Sequence, residues 1–393
     1  MNLMMPEISK TTPGGIVVGV DASRNRSGGA KAHLIGLIAR GNPHDHGIRQ
    51  VHLWAYKSLL DAVPDQSWLI KHNPPALEKS LVQQVLWQIF QLPAEVRDAG
   101  CDIMLNTDAG TMSSVSPSVT MSRDMLSYEP GELERYGWSK ARLRLVLLRY
   151  VQNRSLRRAD GAVFLTKHAA RLIQQSCGPL RRVAFIPHGV GQNFQELTHT
   201  LPWPVNGERP IRFLYISNAA WYKHQWMVIR AVEQLRIEGI NATLTLVGGG
   251  SGPAQRKLRQ QMTLSDLRGE FVTQEKFVPQ ADLPGYLAEA DIFVFASSCE
   301  NMPNTLVEAM AAGLPIACSW RGPMPEVLED AGEYFDPEVP ESIANALRKL
   351  IDDPDLRRRL ALRAKILATR YSWERCARET WSFLADTYKH THG

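Results

Sequence analysis

An alternation that runs through this chain twice constrains its fold more than any other feature. Short β-rich runs are each followed by a stretch of helical periodicity, beginning with "GIVVGVD" and "AKAHLIGLIAR". Further strand-like runs stand at "CDIMLNT", "PSVTMS", "GAVFLT" and "RRVAFIP", with helices predicted over Leu77–Phe90, about Ser139–Arg158, and Lys167–Gln175. Strands that alternate with helices imply a parallel sheet, because parallel neighbours need a crossover and the crossover helix covers a sheet face. "THTLPWPVNGERP" then interrupts: Pro202, Pro204 and Pro210 fix φ and remove the donors a regular element needs. The pattern restarts at "IRFLYIS" and continues through "ATLTLVG", "EFVTQEKFV", "ADIFVFAS" and "LPIACS".

The expected architecture is therefore α/β, with two doubly wound, Rossmann-like domains facing across a cleft. Residues 1–195 form the first domain, 196–209 a linker and 210–370 the second; residues 371–393 form a helix that packs back on the first. A length of 393 residues suits two cores better than one. The five cysteines are scattered and form no C-x-x-C pair, as expected of reduced thiols. No basic-then-apolar leader opens the sequence and no apolar run reaches bilayer length, so a cytoplasmic location is expected.

The net charge of +5 is unevenly spread: residues 1–195 hold 23 Lys/Arg against 15 Asp/Glu, and the rest of the chain 22 against 25. The densest part, residues 135–158, has eight Lys/Arg and no Asp/Glu, with Leu143, Val146, Leu147 and Tyr150 at helical spacing. Two readings stay open. One is a core helix with a basic solvent face; the other is an amphipathic helix lying on anionic lipid at the inner membrane face. Nucleic acid is not expected, because no binding motif accompanies the charge.

The chemistry-bearing stretch is "ADIFVFASSCENMPNTLVEAMAAGLPI". A strand runs into a loop with Glu300, then into a helix with Glu308 about two turns on. Ionised carboxylates accept pairs of hydroxyl hydrogen bonds, so two at one cleft suit a hydroxyl-rich ligand. Between them Met302, Pro303, Asn304 and Thr305 open a helix whose free N–H groups can receive phosphate or sugar oxygens. This stretch resembles the Glu-x7-Glu region of glycosyltransferase family 4, whose members have the two-domain GT-B fold. "SGGAKAHLIGLI", "FIPHGV", "LTLVGGG" and "YSWERCARETW" are similar to other parts of that family.

The resemblance implies a retaining transfer of sugar from a nucleotide-diphosphate donor to a glycan or lipid-linked acceptor, in surface polysaccharide or glycoconjugate synthesis. It places Glu300 on the donor sugar, Glu308 on the ribose and Lys223, in "SNAAWYKHQ", on the diphosphate. Gly28 and Gly29 would let backbone N–H groups approach a phosphate. Relatives carry an arginine five residues before the lysine, where this chain has Asn218. They also carry a histidine in the segment matching "PSVTMSRDMLSYEPGE", where Arg123 and Asp124 stand, either to hold the acceptor or as a structural ion pair. His188 is expected to be packed or hydrogen-bonded near the cleft.

No cofactor or metal is expected, the nucleotide sugar being a substrate. Asp353 and Asp355 read as a helix start, and the His44/His46 and His390/His392 pairs find no third ligand. Two alternatives stand beside the transferase: a silent sugar-nucleotide-binding scaffold, and a sugar-nucleotide epimerase.

Overall fold

The computed structural model describes residues 14–26, 28–197, 202–204 and 207–392. Residues 1–13, 27 and 393, and residues 198–201 and 205–206 of the proline-rich linker, lie outside the described residues.

The first half forms a sheet of seven parallel strands: β1 (Ile16–Asp21), β2 (Ile48–Trp54), β3 (Leu69–His72), β4 (Ile103–Asn106), β5 (Ser118–Ser122), β6 (Gly161–Phe164) and β7 (Val183–Phe185), in the order β3-β2-β1-β4-β5-β6-β7. The second half forms a six-stranded parallel sheet of β8 (Ile211–Ile216), β9 (Ala242–Val247), β10 (Val272–Glu275), β11 (Ile292–Phe295), β12 (Ile316–Ser319) and β13 (Glu333–Phe335), ordered β10-β9-β8-β11-β12-β13. Both are doubly wound, and both reverse direction between their first and fourth strands, at β1/β4 and β8/β11. In such sheets the loops beyond those strand ends leave a crevice where ligands bind.

Of the strands predicted from the sequence, β1, β4, β5, β6, β11 and β12 are buried along their whole length, whereas the edge strands β7 and β10 are part-exposed. Three strands were not predicted. β2 carries Arg49, Gln50 and His52 within its run, and β3 and β13 are short, part-exposed edges. The helix predicted over Leu77–Phe90 is broken. A 3₁₀ turn at Pro75–Glu78 precedes the helix Leu81–Leu86, and a π-helical turn at Trp87–Gln91 leads into Leu92–Asp98. The Ser80 hydroxyl and the Gln83 side chain cap Leu81–Leu86 reciprocally, which explains why the helix starts late.

The C-terminal helix Trp373–His392 lies on the first-domain helix Gly28–Arg40. Small residues permit it: a Cβ at Gly36 would meet the Trp373 ring, and one at Gly41 the Trp381 indole. Where the chain returns to the first domain, the Val190 N–H donates to the Tyr371 carbonyl (3.1 Å). A side chain at Gly189 would collide with the Trp373 backbone there.

Candidate active site

After β8 the chain makes a 3₁₀ turn, Trp221–Lys223, followed by His224 at φ 47°. That left-handed conformation costs a non-glycine residue roughly 1–2 kcal/mol, and it is held from both sides. The Tyr215 hydroxyl donates to the Lys223 carbonyl (2.7 Å), and His224 Nε2 meets the Ser298 hydroxyl (2.9 Å) in the loop after β11. The Ser298 N–H in turn donates to the Tyr222 carbonyl (2.8 Å). The two switch-point loops are thus tied together, and they bring Lys223 against Glu300, whose carboxylate accepts from the ammonium. Both side chains are mostly buried, and the Tyr222 and Phe295 rings lie 5.1 and 5.5 Å from the Lys223 nitrogen. The structure therefore pairs two residues that the sequence reading assigned to different parts of a donor.

The helix Asn304–Ala312 follows, entered through buried Met302 and Pro303. Thr305 Oγ1 donates to the carbonyl of Ile216 at the end of β8 (3.2 Å), fixing the helix start beside the Lys223 loop. Asn304 turns toward the first domain, where its Oδ1 lies 3.2 Å from His188 Nδ1. A Cβ at Gly29 would lie 2.9 Å from Asn304 Nδ2, so glycine is what lets the two elements approach. Gly28 begins the helix Gly28–Arg40, and around its own Cβ position space is open. Two helix N-termini, one from each domain, thus meet at one place, and both favour negative charge.

Glu308 sits about one turn inside its helix and is buried. Its Oε1 accepts from Gln280 Nε2 (3.1 Å), while Oε2 is buried without a partner. Burial pushes this carboxyl up to about 7. A buried acceptor left open is the kind of group a ligand hydroxyl completes.

On the first-domain side, Arg123 follows β5 and Asp124 stands next to it, but the two do not pair. Arg123 Nη2 donates to Asn25 Oδ1 (2.6 Å) and lies 3.8 Å from Asp108 Oδ2. Asp124 instead accepts from the Leu126 N–H (3.0 Å), and burial raises its pKa. The structural ion pair considered between them is thus replaced by Arg123–Asp108. His188 is buried and stacks on His33, ring centroids 4.7 Å apart. Burial, then the charge of Arg123, lowers His188 to about 3 and keeps its ring neutral. Asn218 is exposed at the end of the β8 loop.

The cleft is bridged by residues that the motifs did not reveal. Ser298 Oγ donates to Glu132 Oε1 (2.5 Å), and Arg135 joins Glu132 (3.0 Å) to Glu338 (2.8 Å). Arg321 also donates to Glu338, whose carboxyl is held down to about 2 by the two guanidiniums against the opposing effect of burial. Nearby, Thr166 Oγ1 donates to the Asn301 carbonyl (3.0 Å), and Glu326 accepts from the N–H groups of Lys167 and His168 (2.7 and 2.8 Å). Ser298, Asn301 and Glu132 fall within stretches quoted above, but nothing in those stretches signalled that they would bridge the domains.

Among the described residues no group of three or more His, Cys, Asp or Glu could hold a metal ion. The Asp353 carboxylate accepts from the N–H groups of Asp355 and Leu356, capping the helix Pro354–Ala368. In the basic helix Lys140–Arg158, capped by Ser139, the sequence reading of a core-packed stripe is overturned. Leu143 and Tyr150 are 61 % and 66 % exposed, Val146 and Leu147 are also exposed, and the buried face is instead Gln152, Ser155 and Leu156. No described helix is long and apolar enough to cross a membrane.

Residues 203–366 match the family described as Glycosyl transferases group 1. The chain is 31 % identical over 144 residues to the O-antigen chain mannosyltransferase B of Escherichia coli; the match covers 33 % of this chain and 38 % of that relative's length. Among solved structures it is similar to the sucrose-phosphate synthase of Thermosynechococcus elongatus, with TM-score 0.74 and 16 % identity over 95 % of this chain and all of that one. It is also similar to Anabaena HepE in complex with UDP and glucose, with TM-score 0.67 and 19 % identity over 94 % of this chain and all of that one. The chain has the GT-B fold, and residues 203–366, most of its second domain, are similar to the group 1 glycosyl transferases.

Proposed function

We propose that this protein is a retaining glycosyltransferase that moves a sugar from a nucleotide-diphosphate donor to a glycan or lipid-linked acceptor. The observation that carries the reading is the convergence at β8/β11 of Lys223, Glu300 and the start of the helix Asn304–Ala312, with Glu308 holding an open acceptor beyond. The diphosphate lies between the two helix N-termini, the ribose hydroxyls donate to Glu308, and the sugar hydroxyls donate to Glu300. Binding divides the Lys223–Glu300 pair: the ammonium turns to the phosphate and the carboxylate to the sugar. A family match over the second domain and a likeness to HepE, solved with UDP and glucose, support this reading.

In the transfer, the bond from the anomeric carbon to the phosphate oxygen breaks and a bond to the acceptor oxygen forms on the same face. The acceptor proton passes to the departing phosphate oxygen. Lys223 and the helix N–H groups stabilise the charge that develops on the diphosphate, where fixed donors act most strongly. No carboxylate is assigned as a covalent nucleophile. The bridged cleft keeps water from the donor, which limits hydrolysis.

The exposed stripe on Lys140–Arg158 favours contact with anionic lipid, because its exposed apolar residues stand on the same helix as Lys140, Arg142 and Arg144. Peripheral membrane binding would suit a lipid-linked acceptor.

The test is turnover. The full chain is screened against nucleotide sugars with a lipid-linked or oligosaccharide acceptor, and the product anomer is read by NMR. Release of nucleoside diphosphate with retained configuration in an acceptor-bound sugar is expected. Donor binding without transfer to any acceptor class, or a changed sugar without acceptor, would favour the scaffold or the epimerase instead.

A further inference from the structure

Beside the donor helix the second domain places Lys223, whose ammonium is paired with Glu300, while its Arg321 is engaged by Asp336 and Glu338. Position 218 is an exposed asparagine and adds no charge. A diphosphate ester carries more than one negative charge at neutral pH, so these residues leave a deficit.

Across the cleft, Arg123 is 8 % exposed in its side chain. Its Nη2 is held by Asn25 (2.6 Å) and faces Asp108 (3.8 Å), while Nε and Nη1 are buried without a partner. Loops after β1 and β4 therefore hold Nη2 of a guanidinium from the β5 loop and leave its Nε and Nη1 donors without partners. Arg24, from the same β1 loop as Asn25, has a buried Nη1 that is also without a partner. Its Nη2 lies 3.6 Å from the position a Cβ would take at Gly110, so it flanks the Asp108–Gly110 turn that faces Arg123. Arg123 is close enough for its charge to act on His188, whose ring meets Asn304 at the start of the donor helix. Leaving buried guanidinium N–H donors unpaired is unfavourable unless an acceptor completes them, and phosphate oxygens accept well from guanidinium donors.

We propose that Arg123, with Arg24 flanking the same turn, is a phosphoryl-binding residue of the first domain, supplying across the cleft the positive charge that Asn218 lacks. The proposal rests on the nucleotide-sugar reading only for the source of the phosphoryl group, which is the donor diphosphate or a phosphate on the acceptor.

The experiment is calorimetric titration of the full chain, as parent, Arg123→Gln and Arg24→Gln, with UDP and GDP. The matching nucleosides serve as controls. Inorganic phosphate is titrated both alone and after saturation with the diphosphate. If the donor is the source, Arg123→Gln weakens nucleoside diphosphate binding at least tenfold and leaves nucleoside binding unchanged. If the acceptor is the source, diphosphate affinity holds, and the saturated parent binds inorganic phosphate where Arg123→Gln does not. Changes below twofold in both titrations, with a parent-like melting curve, overturn the proposal. Should Arg123→Gln fail to fold, Arg24→Gln is read the same way, with a threefold change expected and none overturning. A parent that binds no nucleoside diphosphate would sink the donor reading, and the titration with phosphate alone would still decide the site.

Discussion

Replacing Glu308 by Gln should make the protein more stable and bind nucleotide less well. Glu308 is buried, and its carboxyl is raised from an ordinary 4.5 to about 7. Below pH 4.5 both the folded and unfolded chains keep this group protonated. Between 4.5 and 7 the unfolded chain gives up the proton and the folded chain holds it, so stability falls as pH rises through that window. At about 1.36 kcal/mol per pH unit, the loss reaches about 3 kcal/mol above pH 7. The glutamine keeps the oxygen that accepts from Gln280 and carries no charge, so it avoids that loss. In a domain of this size the gain is worth on the order of 6–12 °C in melting temperature. Scanning calorimetry of parent and Glu308→Gln from pH 4 to 8.5 should show nearly coincident curves at the acid end and a gap that widens up to about pH 7 and then levels off. Nucleotide affinity should move the other way, falling by about one to two decades with the loss of a charged hydrogen bond. In the parent, affinity should rise about tenfold from pH 6 to 8 as the carboxyl ionises. A gap that ignores pH, or a variant less stable than the parent at pH 8.5, would refute the reasoning.

Turnover should persist in excess chelator, because Lys223 and helix N–H groups carry the diphosphate charge; a magnesium or manganese requirement restored on re-addition would contradict this. The parent should bind anionic vesicles more tightly than neutral ones, and replacing Arg142, Arg144 and Arg149 by Glu should abolish the difference in a sedimentation assay. Equal binding of the parent to both vesicle types would leave the exposed stripe without a lipid role. Glu132→Gln should keep the Ser298 hydrogen bond, whereas Glu132→Ala should open the cleft and raise donor hydrolysis relative to transfer, as measured by free sugar released. Unchanged partitioning in Glu132→Ala would show that the bridge does not exclude water.

What the sequence revealed follows from how each feature is built. Strands buried on both faces are continuous apolar runs, so β1, β4, β8 and β11, which line the two switch points, were all legible. Edge strands β3 and β13 are short and part-exposed, and β2 mixes polar residues into its run, so each lacks that signature. Glu300 and Glu308 stood out as two acids beside a strand end, and the resemblance to glycosyltransferase family 4 supplied Lys223 and the role of each. The direct pairing of Lys223 with Glu300 was not legible, since it depends on how a left-handed His224 turns one loop toward another. The bridges across the cleft were least legible. Ser298 and Glu132 are 166 residues apart, Arg135 and Glu338 are 203 apart, and only packing of the two domains brings them together. The basic helix left two readings open because periodicity shows that an apolar face exists, not which face the neighbouring elements cover.

The most direct test of the central claim compares nucleoside diphosphate affinity and sugar turnover in Glu300→Gln and Lys223→Ala. If the two charges divide between sugar and diphosphate, Glu300→Gln should lower turnover by about one to two decades. Its diphosphate affinity should hold or rise, since Lys223 is released from its partner. Lys223→Ala should lower both quantities. A Glu300→Gln enzyme that turns over like the parent, or that loses affinity and turnover in equal measure, would contradict the account.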